Sequence, residues 1–159
     1  MFAKPQAEHR WLAKLVGDWN VESDYRMGAD QPSKKSESRI SVRSLEGMWV
    51  VMESGGDSPE MGKWSSLLTL GYDPRRKQYV GTFFGSMMNH LWIYAGSLDD
   101  SGRVLTLDTE GPRFEGEGLV AYQDIFESVD DDHWILSSRV RGDDGQWQHF
   151  MTAHHRRVK

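Results

Sequence analysis

The chain has 159 residues, a net charge of −5 and no cysteine, with a pI of about 5.6. That length suits one domain, 1–159, and about 70% of the unfolded surface is buried at such a size. The acidic balance excludes a general nucleic-acid footprint, and Arg156, Arg157 and Lys159 make a short basic tail, not a stripe. Without cysteine there is no disulfide, thiolate nucleophile or Cys-type metal site, so a reducing cytoplasm is the expected setting. Residues 1–6 lack the apolar centre of a signal peptide, and no run approaches ~20 apolar residues, so no membrane partner is expected.

The first predicted element is a short helix over about 6–16. Pro5 suits a first helical turn, Trp11, Leu12, Leu15 and Val16 share one face, and Gly17 can stop it in a left-handed conformation. Short β-type runs then alternate with turn chemistry to the C-terminus. The strands are expected near 18–27, 35–45, 48–54, 65–72, 78–85, 91–98, 103–110, 119–128, 133–141 and 146–155. Leu45-Glu46-Gly47, Asp73-Pro74-Arg75-Arg76, Asp100-Ser101-Gly102 and Asp143-Asp144-Gly145 are the tight turns. The stretches Gly55 to Gly62 and Gly111 to Gly118 read as longer loops. Short links favour nearest-neighbour pairing, and closure removes exposed edges. The predicted fold is therefore all-β: a roughly ten-stranded antiparallel up-and-down barrel with a short N-terminal helix across one mouth.

The Gly17-x-Trp19 opening resembles that of calycin barrels such as lipocalins. Longer stretches carry a second resemblance: Thr69-Leu70-Gly71-Tyr72-Asp73-Pro74, Ser86-Met87-Met88-Asn89-His90-Leu91-Trp92, Leu105-Thr106-Leu107-Asp108-Thr109-Glu110-Gly111-Pro112 and Phe150-Met151-Thr152-Ala153-His154. Over nearly the whole chain the sequence resembles the bacterial family called domain of unknown function 1579. The resemblance implies a calycin-like barrel. It implies no activity or catalytic residue. In lipocalins the motif Trp packs at the closed end beneath a late-strand Arg, so the resemblance points to Trp19 as a structural plug under Arg156 or Arg157.

Seven Trp and eight Met are unusual for this length. They supply large, polarizable surface for a core or a pocket. Trp49, Met52, Phe83, Met87, Met88, His90, Trp92 and Tyr94 fall in neighbouring strands and one loop, and some of them are expected to line a ligand site inside the barrel. Trp49 and Met52 cannot both point inward on one regular strand. The same residues could instead fill the core to normal density. Apolar residues on both faces around Trp49 and Trp92 point to an outer cover, which a helix, a loop or a second subunit could supply.

Other chemistry finds little support. His149 and His155 have equal parity on the last strand but stand ~20 Å apart, so they cannot share a metal. A single inward His could hold haem from one side, yet a lone strand His is ordinarily structural, and no metal or cofactor is expected. Asp99/Asp100, Asp130 to Asp132 and Asp143/Asp144 sit at turns, where Asp bonds its own backbone. Glu53, Asp108 and Glu110 are better placed but fit a solvated outer face. No Gly-x-Ser-x-Gly elbow occurs, and Gly56 to Lys63 fails as a phosphate loop because Trp64 replaces the hydroxyl residue and a strand follows. The leading expectation is a protein that holds a small apolar or amphipathic molecule in the barrel. The alternatives are a small enzyme acting there, through Glu53 or a His, and an oligomeric interaction module without ligand, such as a homodimer.

Overall fold

In the computed structural model, which describes residues 2–159, the N-terminal segment forms α1 (Ala7–Leu12) and one further 3-10 turn over Ala13–Leu15. The amphipathic spacing docks this segment: Trp11, Leu12 and Leu15 are buried. Trp11 Nε1 donates to Gly102 O at 2.7 Å, and the Tyr79 hydroxyl donates to Glu8 O at 3.0 Å. Gly17 then starts the first strand with φ +135°, and a Cβ there would lie 2.4 Å from Arg157 Nη1. Close approach and backbone conformation both demand glycine at that position.

Ten strands follow: β1 (Gly17–Tyr25), β2 (Lys34–Leu45), β3 (Trp49–Ser58), β4 (Gly62–Asp73), β5 (Gln78–Gly85), β6 (Trp92–Leu98), β7 (Val104–Pro112), β8 (Leu119–Asp130), β9 (His133–Arg141) and β10 (Trp147–Arg157). Each pairs antiparallel with its neighbour in sequence, and β1 pairs with β10 to close the barrel. This is the up-and-down barrel expected from the short links. Asp73 Oδ1 accepts from Arg75 N at 2.9 Å, and Asp99 Oδ1 from Ser101 Oγ at 2.6 Å. Asp73, Asp99, Asp130 and Asp144 thus bond within their own turns, whereas Asp132 pairs with Arg157 and Lys159 and Asp143 with Arg113.

Two local readings change. Gly55 to Gly62 is not a long loop: Gly55–Ser58 pairs with Gly62–Ser65, leaving a three-residue hairpin link. The cross-strand ladder overrides low β-propensity there. The last strand also carries a β-bulge between His149 and Met151. The extra residue reverses parity, so His149 faces out beside Arg139 while His155 faces in. Equal sequence parity therefore did not mean one face.

The helix and the links 45–49, 73–78, 98–104 and 130–133 gather at one end of the barrel. The links 25–34, 58–62, 85–92, 112–119 and 141–147 gather at the other. Inward residues near the helix end form the core: Trp19, Leu70, Tyr79, Leu105, Leu107, Phe126 and Trp134 pack with Trp11, Leu12 and Leu15.

Candidate functional site: the open half of the barrel

Inward positions change character at mid-barrel. On β1 they run Trp19, Val21, Ser23; on β2 Val42, Ile40, Ser38; on β3 Val50, Met52, Ser54; on β4 Leu70, Leu68, Ser66; on β9 Trp134, Leu136, Ser138. Five strands thus place serine at the next inward position toward the open end. Leu70, Leu105 and Leu107 are wholly sealed in the helix-capped half. Ser23, Ser38, Ser54 and Ser66 are only half-buried, as are the inward Trp64, Phe83, Trp92 and Met151. The open half of the wall is polar and aromatic and only partly accessible, with Tyr94, Thr109, Tyr122 and Ser138 buried.

Where the two halves meet stands Asp124 on β8. Its carboxylate accepts from the Tyr94 hydroxyl and from Ser138 Oγ, each at 2.5 Å. Distances this short suit hydroxyl donors on an ionised acceptor. No Lys, Arg or His lies within salt-bridge reach of it among the described residues. Protein surrounds the group, and burial pushes its carboxyl pKa up against the two hydrogen bonds, which pull it down. Burial first, then the Asp124 charge, push the Tyr94 phenol well above its ordinary value, so it stays a neutral donor. Asp124 nonetheless keeps part of its surface accessible.

The mouth is aromatic on one side. Trp92 and Tyr122 meet edge to face at 4.9 Å, and Phe114 packs on Phe150 at 5.0 Å. Here the wall itself parts. The β6–β7 ladder runs only from Ala95/Asp108 to Leu98/Leu105. Beyond it the Trp92 ring lies over Gly111, where a Cβ would come within 2.0 Å of the ring. His90 Nε2 reaches Glu110 O at 2.8 Å across the same gap, and Trp92 Nε1 donates to Met88 Sδ at 2.9 Å. A groove of about 650 Å³ crosses this part of the outer wall and touches the inward residues Thr109 and Tyr122. Two further depressions, of about 550 and 290 Å³, lie mainly on outward residues, the first on Glu22, Asp24, Lys35 and His154 beside Ser23 and Tyr25, the second on Glu53, Ser65 and Leu67 beside Ser54 and Ser66.

A family model described as "Protein of unknown function (DUF1579)" matches residues 4–157. The chain belongs to that family. No curated protein matches the chain. Among solved structures, that of Rv2717c from M. tuberculosis is similar at 12% identity and a TM-score of 0.63, over 98% of this chain and 100% of that one. A redesigned β-barrel matches at 11% identity and a TM-score of 0.50, over 94% of this chain and 96% of that one. At these identities the likeness concerns the fold alone.

In this DUF1579 protein the sequence-predicted site residues fall into three groups. Phe83 and Trp92 are cross-strand partners on the inner wall, with Tyr94 one inward step deeper. Met87, Met88 and His90 lie at the mouth, where Met87 Sδ covers Gly85 and His90 packs edge to face on Trp92 at 4.8 Å. Met52 is buried in the core below. Trp49 does not belong with them: it starts β3 at the helix end, 41% exposed on the outer face, with its ring over Gly71. Strand parity allowed only one of Trp49 and Met52 inside, and Met52 takes that place. Asp124 and the serines were missed. The serines' signal was present as apolar-x-apolar-x-Ser, reversed on β2 and β4, and is readable only once each strand's inward parity is known.

The plug at the other end involves one arginine of the two. The Arg157 guanidinium carbon lies 4.2 Å from the Trp19 ring centroid. Its nitrogens donate to Val16 O at 2.8 Å and Asp131 O at 2.8 Å, and Trp19 Nε1 donates to Leu15 O at 2.8 Å. Arg156, one residue earlier, points outward to Glu22. Inward His155 stacks on Trp134 with centroids 3.6 Å apart and donates from Nδ1 to Ala153 O. Burial, aided by His154 and His133, pushes its pKa down to about 3, against the Ala153 bond.

Proposed function

We propose that this protein binds a small amphipathic molecule in the open half of its barrel. The observation that carries the reading is the Asp124 carboxylate, held by two neutral hydroxyls at the floor of a serine- and aromatic-lined inner wall. A packed interior gains stability from apolar contacts and loses it by enclosing an unpaired charge. Five inward serines and a carboxylate are therefore poor core and good lining: apolar rings bury the ligand body, and a few polar groups orient it. Phe83, Met87, Met88, His90, Trp92 and Tyr94 supply the aromatic and adaptable surface, and Met52 supports it from beneath. No nucleic acid or membrane is part of this reading, and a cytoplasmic setting fits the cysteine-free composition. A two-fold homodimer belongs to it as the assembly state, because Phe84, Leu91 and Ile93 remain exposed on neighbouring outer positions.

Native mass spectrometry of protein purified from its own host tests the binding. A small-molecule adduct on the 18.3 kDa chain, lost in Ser66→Trp, is the expected result. An adduct retained in Ser66→Trp, or bare chain in both proteins, overturns it. Light scattering at micromolar concentration checks the dimer, which a purely monomeric species rejects.

A further inference from the structure

The environment of Asp124 narrows the ligand's chemistry, on the premise that a ligand occupies the open half. We propose that the molecule carries a protonated amine or similar N–H cation, and that this group docks on the Asp124 carboxylate between Tyr94 and Ser138.

The argument begins with what the carboxylate lacks. Its two hydrogen bonds come from neutral hydroxyls, one to each oxygen: Tyr94 to Oδ2 and Ser138 to Oδ1. A carboxylate has about four acceptor positions, so each oxygen retains one. Neutral donors hold the group in place without cancelling its charge, and an enclosed charge without a counter-charge is costly. The wall supplies no counter-charge. Between Asp124 and the mouth, the inward strand positions carry uncharged residues: Ser, Thr, Tyr, Trp, Phe, Met, Val, Gln and Gly; the inward-facing Lys34 stands at the rim and pairs with Glu60 at 3.4 Å. The nearby Arg139 is engaged on the far face of the same two strands, where Nε donates to Gln123 Oε1 at 2.7 Å and the guanidinium lies 4.9 Å from the Trp147 ring centroid.

The remaining features fit a cation with an apolar body. Tyr94 and Ser138 are buried and spend their protons on Asp124, so their oxygens are left only as acceptors, adding to a cluster that suits N–H donors and disfavours anions. Trp92 and Phe83 stand half-buried one inward step nearer the mouth, and aromatic rings attract cations electrostatically. The serine hydroxyls can solvate the path. A carboxylate ligand would meet like charge at the floor, and a plain hydrocarbon would leave the charge of Asp124 with no partner beyond its two neutral hydroxyls.

Three naphthalene probes of matched shape test this: 2-naphthylmethylamine, 2-naphthalenemethanol and 2-naphthoate, titrated against the full chain with tryptophan fluorescence and calorimetry. Wild-type protein should bind the amine about tenfold or more tighter than the alcohol, the worth of one charge-assisted hydrogen bond, and the carboxylate most weakly. Asp124→Asn, with its fold checked by circular dichroism, should bind amine and alcohol within about threefold of each other. Ser138→Ala, which keeps the carboxylate, should retain the amine preference. The class assignment is overturned if wild-type protein binds alcohol or carboxylate as tightly as the amine, or if Asp124→Asn keeps the preference. Should Asp124→Asn fail to fold, the wild-type ranking and the Ser138→Ala result decide alone. The underlying proposal fails separately, when no probe binds or when Ser66→Trp leaves binding of all three untouched.

Discussion

The two halves of the barrel share ten strands and one alternation, yet they bury different chemistry. Near the helix, inward Trp19, Trp134 and Phe126 interlock with Leu70, Leu105 and Leu107, and the inward histidine is stacked and neutral. Toward the mouth the same strands turn to Ser23, Ser38, Ser54, Ser66 and Ser138 around Asp124. Alternation fixes which side chains point inward; it says nothing about whether the inside is solid. The helix-capped half is a sealed apolar foundation, and the other half keeps half-buried serines and rings on its inner wall. Mutations should therefore have large effects in one half and small ones in the other, and pH should act on them with opposite sign.

The largest expected effect is on the foundation. Trp19→Ala removes a fully buried indole, its edge-to-face contact with Trp134 at 5.9 Å and its bond to Leu15 O, and should cost about 3–5 kcal/mol in chemical denaturation. Trp64→Ala, at the half-buried mouth end of β4, should cost clearly less. Equal losses would erase the distinction between the halves.

Next comes pH. The native pKa of His155 lies at about 3 and the unfolded value near 6.5, so the unfolded chain binds the extra proton between those limits. Stability is therefore fully present above pH ~6.5 and lost as pH falls toward 3, by about 2 kcal/mol between pH 7 and 5. Urea unfolding of His155→Phe should lack that loss. Asp124 acts the other way. Its native pKa is raised, so the native state holds the proton more tightly, and its contribution declines as pH rises from the unfolded value, near 3.8, through the raised one. Asp124→Asn should remove that decline, so that its stability relative to wild type improves from pH 4 to 7. A relative stability that worsens over that interval would contradict the burial assigned to the carboxyl.

The helix-capped half was the more legible of the two in sequence. Trp11, Leu12 and Leu15 announce a docked face by spacing, and Gly17-x-Trp19 announces the turn into β1. Sequence left the choice between Arg156 and Arg157 open because it depends on the β10 register, which the bulge at His149/Met151 shifts. The open half was read through its conspicuous residues, Met87, Met88, His90 and Trp92, because an aromatic or a methionine in a turn catches attention. Serine does not, since it is ordinary in strands and turns alike. Asp124 lies in Tyr122-Gln123-Asp124-Ile125, where neither alternation nor spacing separates an inward carboxylate from an outward one. Only pairing with Ser138 and proximity to Tyr94, 30 residues away, give it meaning.

A smaller effect separates the plug's two arginines. Arg157→Met keeps an apolar stem over Trp19 and loses the guanidinium contacts, so about 1–2 kcal/mol should disappear. Arg156→Met breaks only an exposed pair with Glu22, whose side chains are half or more in solvent, and should change the denaturation midpoint very little. Equal losses would place Arg157 among ordinary surface charges.

The smallest effect is the most telling about the open half. Ser66 faces inward on β4, where Leu70 and Leu68 continue the same row toward the helix. If that row were one core, Ser66→Val would fill a polar defect with apolar volume and raise stability by about 1 kcal/mol or more, as burying a methyl or two should. If the hydroxyl instead faces an accessible lumen, valine gains little burial and its effect stays within about 0.5 kcal/mol, as at a surface position. Leu70→Ala, two steps along the row, should cost about 2–5 kcal/mol by leaving a cavity in sealed packing. Measuring both by urea denaturation puts a number on each half through one strand. A large gain in Ser66→Val would mean that the inner wall is solid to the rim, and the proposed ligand would lose its space.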